Sequence, residues 1–115
     1  HSHIGMNLMP DAQDLIFKSL ADPTRRALFE RLCREGEITV ADLTAKAGVS
    51  QPVVSKHLAQ LKQAGLVSGR HHGRQTHYRA EPAALAPLAD WTVEMSRFWH
   101  GRFDALENLL NRMDQ

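Results

Sequence analysis

Between two short stretches of helical hydrophobic spacing the chain carries Ala47-Gly48-Val49-Ser50-Gln51-Pro52. No other segment restricts the fold so tightly. Glycine takes a left-handed backbone at no steric cost, so one helix can stop and another begin within three residues. Ser50 is a good N-cap, and Pro52 falls in the first turn, where a missing N–H has no helical partner to lose. Upstream, Leu43 and Ala47 face inward in a helix that starts at Thr39, with Asp42 three residues on in a variant capping box. Downstream, Val54, Leu58 and Leu61 make one buried stripe, and Gly65 closes the helix. Val49, Val54 and Leu58 tie the second helix to the first. The pair is a helix-turn-helix.

The remaining segments frame this unit. A first helix covers roughly residues 11–20, with Leu15, Ile16 and Leu20 as its apolar positions. A second opens with Asp22 as cap and Pro23 at the first helical position. Ala27, Leu28, Leu32 and Cys33 form its stripe, and Gly36 ends it. After Gly65 the period changes from helical to alternating. Residues 66–70 and 76–79 read as strands, with 71–75 as a glycine-containing turn. Pro82 permits a new start, and 83–113 read as one long helix with a bend near Pro87 or Gly101. The fold expected is mainly α with a small β-hairpin: a winged helix-turn-helix of five helices. Residues 1–5 read as an expression remnant, and 6–115 as a single domain. Its DNA-binding core is about 39–80, and its dimerisation helices are about 11–20 and 83–113.

Net charge is only +1, but its distribution is uneven. Residues 43–80 hold Lys46, Lys56, Lys62, Arg70, Arg74 and Arg79 and no acid, while both flanking segments carry more acid than base. A polyanion is the natural partner for such a window. With Val54, Leu58 and Leu61 inside, Gln51, Pro52, Ser55 and Lys56 lie outside in the first turns of the second helix. Gln51 can pair with adenine through two hydrogen bonds, Pro52 can touch a thymine methyl, and Lys56 can reach a guanine edge or a phosphate. Ser55 can serve base or phosphate. Ser50 is a cap beside the phosphate-favouring helix N-terminus. For His57, phosphate contact and packing at the helix flank are both open. Lys46 and Lys62 supply general attraction. The hairpin, with Arg70 and Arg74 about its turn, is a wing suited to the minor groove or nearby phosphates.

A second partner is implied by apolar excess. The last helix offers Trp91, Met95, Phe98, Trp99, Phe103, Leu106 and Leu110, and the first offers Leu15 and Ile16. That is more than 115 residues can cover, so a twofold homodimer is expected. No apolar run nears the roughly 18 residues of a membrane span. No secretory leader is evident. Cys33 is the sole cysteine, which excludes an intrachain disulfide and fits a cytoplasmic protein. No phosphate-binding glycine loop, nucleophile elbow or metal-plus-carboxylate pair argues for an enzyme.

Three segments together resemble the ArsR/SmtB family of winged-helix transcriptional repressors: Leu20-Ala21-Asp22-Pro23-Thr24-Arg25-Arg26, the run from Val49 to Leu61, and Ala64-Gly65-Leu66-Val67 leading to Gly73-Arg74. The resemblance spans roughly 11–113. It implies a homodimer built from the first and last helices, a palindromic operator in double-stranded DNA, and repression. It places Gln51, Pro52, Ser55, Lys56 and His57 at the DNA. Many members of the family release DNA when metal binds. Here Thr39-Val40-Ala41-Asp42-Leu43 has no cysteine, Asp90-Trp91-Thr92 lacks a histidine, and His100 with Asp104 is a fragment of a site. No metal ligand set and no cofactor are therefore expected, and the effector is unknown. Two alternatives stand: a winged-helix protein-interaction module, and a metal-responsive repressor with an atypical histidine site.

Overall fold

The computed structural model describes residues 11–114. The chain divides into two compact units that meet at the 85/86 boundary.

In the first unit the element order is α1 (Ala12–Ala21), α2 (Pro23–Glu35), β1 (Ile38–Thr39), α3 (Val40–Ala47), α4 (Gln51–Gln63), β2 (Val67–His72), β3 (Gln75–Ala80) and a 3-10 turn (Pro82–Leu85). The helix starts are chemically marked. Asp11 accepts from the Asp14 amide at 2.9 Å, and Asp22 from the Arg25 amide at 2.8 Å. Thr39 Oγ1 accepts from the Asp42 amide at 3.1 Å. Each satisfies one of the free N–H groups of a first helical turn. Gly48, with φ 72 and ψ 14, makes the left-handed turn between α3 and α4. At the far end of α4, Gly65 N–H donates to Lys62 O and Leu66 N–H to Leu61 O, both at 3.0 Å. That pair is a Schellman closure, and it swings the chain into β2.

The core is assembled from one or a few residues of each of α1 to α4, β1 and β2, with Leu66 between α4 and β2. Ile16, Leu28, Phe29, Leu32, Leu43, Val54, Leu58, Leu61, Leu66 and Val67 are all buried, and Ile38 joins them from β1. Four details depart from the sequence reading. The α2 stripe is Leu28, Phe29 and Leu32, and both Ala27 and Cys33 are exposed. At about 100° per residue, Ala27 falls opposite the centre of that stripe and Cys33 at its edge. Ile16, expected on the dimer face, is core at 1% exposure, while its neighbour Leu15 is exposed. The hairpin turn has two residues rather than five: His72 pairs with Gln75, and Gly73 (φ 64) takes the positive φ of a primed turn. Finally, the sheet has three strands in the order β1-β3-β2. Ile38 pairs with Tyr78 and Thr39 with His77 on the outer side of β3.

The second unit is α5 (Ala86–Met113), a single helix of 28 residues with no buried residue. It begins one turn later than expected, after the 3-10 turn. Pro87 stands in its first turn, where proline costs nothing, so it starts the helix rather than bending it. Trp99, Phe103, Leu106, Leu110 and Met113 recur at steps of four and three residues, the spacing of a single apolar stripe. Trp99 and Phe103 have ring centroids 5.8 Å apart, and the Arg102 guanidinium lies 6.0 Å from the Trp99 ring. Among the described residues no helix is long and apolar enough to cross a membrane.

Candidate nucleic-acid interface

The stripe that buries Val54, Leu58 and Leu61 fixes which side of α4 faces out. Gln51, Pro52, Ser55 and Lys56 are all exposed. Ser50 occupies the N-cap position with extended backbone, but its hydroxyl makes no capping bond. Its oxygen and the first N–H groups of α4 are therefore unspent among the described residues. That is the condition in which a helix N-terminus attracts an anion.

The wing stands beside this helix end. A cleft of about 260 Å³ is lined by Gln51 and Ser55 of α4, by Arg74, Gln75, Thr76 and Tyr78 of the hairpin, and by Thr39, Val40 and Ala41. Residues 19 to 23 positions apart in sequence, from Gln51 or Ser55 to Arg74, thus share one concavity. Close strand approach positions the wing. A Cβ on Gly69 would come within 2.8 Å of the Tyr78 ring, so glycine is what lets the ring lie across β2.

Electrostatics divide the six cations of the acid-free window in two. Three are answered by carboxylates from outside it. Lys46 Nζ lies 2.5 Å from Glu35 Oε1. Arg70 donates Nε and Nη2 to the two oxygens of Glu37, at 2.9 and 2.7 Å. Arg79 Nε reaches Glu81 at 3.0 Å. These cations hold the carboxyls of Glu35 and Glu37 below the ordinary carboxylate range. For Glu81 the Ser68 hydroxyl is the larger cause and Arg79 the second. Lys56, Lys62 and Arg74 have no ion pair among the described residues. The free positive charge of this face is carried by these three.

Not every residue expected at the DNA lies on this exposed face. His57 turns its ring inward, 16% exposed, with Nε2 3.9 Å from Asp22 Oδ2. Of the two possibilities left open for it, this geometry is packing at the helix flank. Arg70 is clamped flat to Glu37, a bidentate geometry that leaves less of its fork for another anion. Sequence reasoning missed Glu35 and Glu37 as partners, because each lies far along the chain from its cation. It also missed β1, although the run Ile38-Thr39-Val40 is β-branched and carried a strand signal. Among the described residues there is no group of three or more His, Cys, Asp and Glu placed to hold a metal.

Comparisons with known proteins agree with this geometry. Residues 20–70 match the family model described as a helix-turn-helix domain. The chain is 44% identical over 68 residues to the arsenic resistance transcriptional regulator ArsR1 of Pseudomonas putida, covering 59% of this chain and 53% of that protein. It therefore spans about half the length of that relative. It is 43% identical to the arsenical resistance operon repressor of Escherichia coli, over 71% of this chain and 74% of that protein. A crystal structure of an ArsR family transcriptional regulator aligns with a TM-score of 0.71 and 32% identity, covering 83% of this chain and 97% of that one.

Proposed function

Because the chain belongs to the ArsR family of winged helix-turn-helix transcriptional regulators, we propose that it is a cytoplasmic homodimeric repressor of a palindromic operator, reading the major groove with α4 and the flanking backbone with its wing. The observation that carries this reading is the shared cleft. Gln51 and Ser55 converge with Arg74 on one exposed face, next to an uncapped helix N-terminus. Gln51 and Ser55 meet base edges. Pro52 meets a thymine methyl. Lys56, Lys62 and Arg74 meet phosphates, which position the protein without reading sequence. Symmetry then sets two α4 helices about 34 Å apart, one duplex turn. The exposed stripe of α5, with Trp99, Phe103, Leu106 and Leu110, supports self-association.

Both of the relatives described above are named for arsenic resistance. Trivalent arsenic is thiophilic and calls for several thiolates in one site. This sequence has one cysteine and none in α3, so the reading here is of a repressor without an arsenic or zinc site. Partial desolvation by its neighbours raises the Cys33 thiol above its ordinary value, which lowers its thiolate fraction.

The decisive test is a footprint on the promoter of the protein's own gene, followed by titration of that duplex across a salt series. Specific binding with a log–log slope near −0.9 per phosphate neutralised is expected. Affinity for that duplex no greater than for bulk genomic DNA at physiological salt overturns the proposal.

A further inference from the structure

On the side of the first unit where α1, α2 and the C-terminal end of α4 meet there is a cavity of about 210 Å³. Its lining includes Leu15, Lys18, Ser19, Arg25, Gln60 and Ala64 and no acid. Two features of it bear on what it could hold. Ser19 is 6% exposed, yet its hydroxyl oxygen is buried without a hydrogen-bond partner. An unpaired buried hydroxyl costs stability, so folds rarely retain one without use. Arg25, half-buried, donates Nε to the Ser19 carbonyl at 2.6 Å and Nη2 to the Lys18 carbonyl at 3.2 Å, and Nη1 to Gln60 Oε1. Every acceptor of its side chain is neutral, and no carboxylate ion-pairs with it among the described residues. Lys18 has no ion pair there either. The cavity thus brings together two cations without an ion-paired carboxylate among the described residues, Lys18 and Arg25, beside Ser19 and the apolar surfaces of Leu15 and Ala64.

We infer that this cavity binds a small amphipathic monocarboxylate, with its charged end at Ser19, Lys18 and Arg25 and its apolar body on Leu15 and Ala64. The volume lies below the roughly 300–1,000 Å³ of sites for drug-sized ligands, so the ligand is a short-chain acid. A charged acceptor makes a stronger bond to guanidinium than a neutral amide does. The carboxylate therefore displaces Gln60 Oε1 from Arg25 Nη1. Gln60 belongs to α4, so occupancy loosens the tie between α2 and the helix that carries Gln51 and Ser55. On the DNA-binding reading above, this lowers operator affinity.

Hexanoate, with hexanamide as its neutral counterpart, is the probe. Both are titrated into the full-length protein and followed by the NMR signals of Arg25 Nε–H and the Gln60 amide. Hexanoate is expected to saturate with a Kd at or below about 1 mM, and hexanamide to bind at least about tenfold more weakly. Lys18→Gln and Ser19→Ala should each weaken hexanoate about tenfold. Ser19→Ala should keep or raise the Tm, because it removes an unpaired buried hydroxyl, so its loss of binding does not reflect misfolding. No saturable shift at Arg25 and Gln60, equal binding of acid and amide, or variants that bind like the wild type would each overturn the site. Unchanged operator affinity with hexanoate bound overturns its coupling to α4. A protein that fails on DNA without hexanoate fails the functional reading, and the titration itself still reports on the cavity.

Discussion

Residues 11–85 bury eleven large hydrophobic side chains in a core to which α1 to α4, β1 and β2 contribute, whereas α5, at 28 residues, buries none. Both carry an apolar stripe at helical spacing. In the first unit each stripe meets another within the same chain: Leu43 of α3 and Val54, Leu58 and Leu61 of α4 are completely inaccessible. In α5, Phe98, Trp99, Phe103 and Met113 are 60% exposed or nearly so. Equal patterning with unequal burial separates a self-sufficient unit from one whose apolar face is left for a partner. The same comparison divides the chemistry. Contacts to DNA are proposed for the first unit, and the twin that doubles those contacts is proposed to be recruited by the second.

Substitutions should separate these roles in descending order of effect. Leu58→Ala leaves a cavity at a fully buried site of α4 and should cost about 2–5 kcal/mol of folding stability in a denaturant titration. A smaller loss, under about 1 kcal/mol, would mean the first unit is less tightly packed around Leu58 than its complete burial implies. Trp99→Ala should leave the fold intact by circular dichroism and weaken self-association by about 2 kcal/mol or more in sedimentation equilibrium, as for other aromatic anchors. Unchanged self-association would remove the α5 stripe from the dimer. Gln51→Ala should cost about 1–3 kcal/mol on the operator and relax one base position, with little loss on random DNA. Equal losses on both would make Gln51 a positioning residue instead.

The smallest effect concerns pH. Asp22, Glu35, Glu37 and Glu81 are held below their ordinary values, Asp22 mainly by the Arg25 amide and Glu37 mainly by Arg70. A carboxyl lowered by folding contributes stability that is complete above its unfolded value and is lost as pH falls through its folded one. Thermal midpoints should therefore hold from neutrality to about pH 4.5 and decline below it. Glu37→Gln should shallow that decline slightly while leaving Tm at pH 7 nearly unchanged, since the pair is exposed and screened. A steep loss at pH 7 would mean the Arg70–Glu37 clamp is needed to hold the wing.

Much of this was legible in the residues themselves. Asp22-Pro23, Thr39 with Asp42, Gly48 and Gly65 are local signals, and helix ends follow from them because capping and left-handed turns are decided within four or five residues. The exposed face of α4 was equally legible, because the 3.6-residue period fixes the outside once Val54, Leu58 and Leu61 are inside. Where the reading departed, the deciding contact was distant. Cys33 and Phe29 are both on the α2 flank, and only the packing against other elements selected Phe29. Ile38 became a strand because Tyr78 lies beside it, 40 positions on. The acid-free window showed that positive charge gathers in the middle of the chain. Only the tertiary structure, by bringing Glu35, Glu37 and Glu81 to Lys46, Arg70 and Arg79, decided that Lys56, Lys62 and Arg74 have no ion pair among the described residues, because ion pairing depends on distance in space and not on distance along the chain.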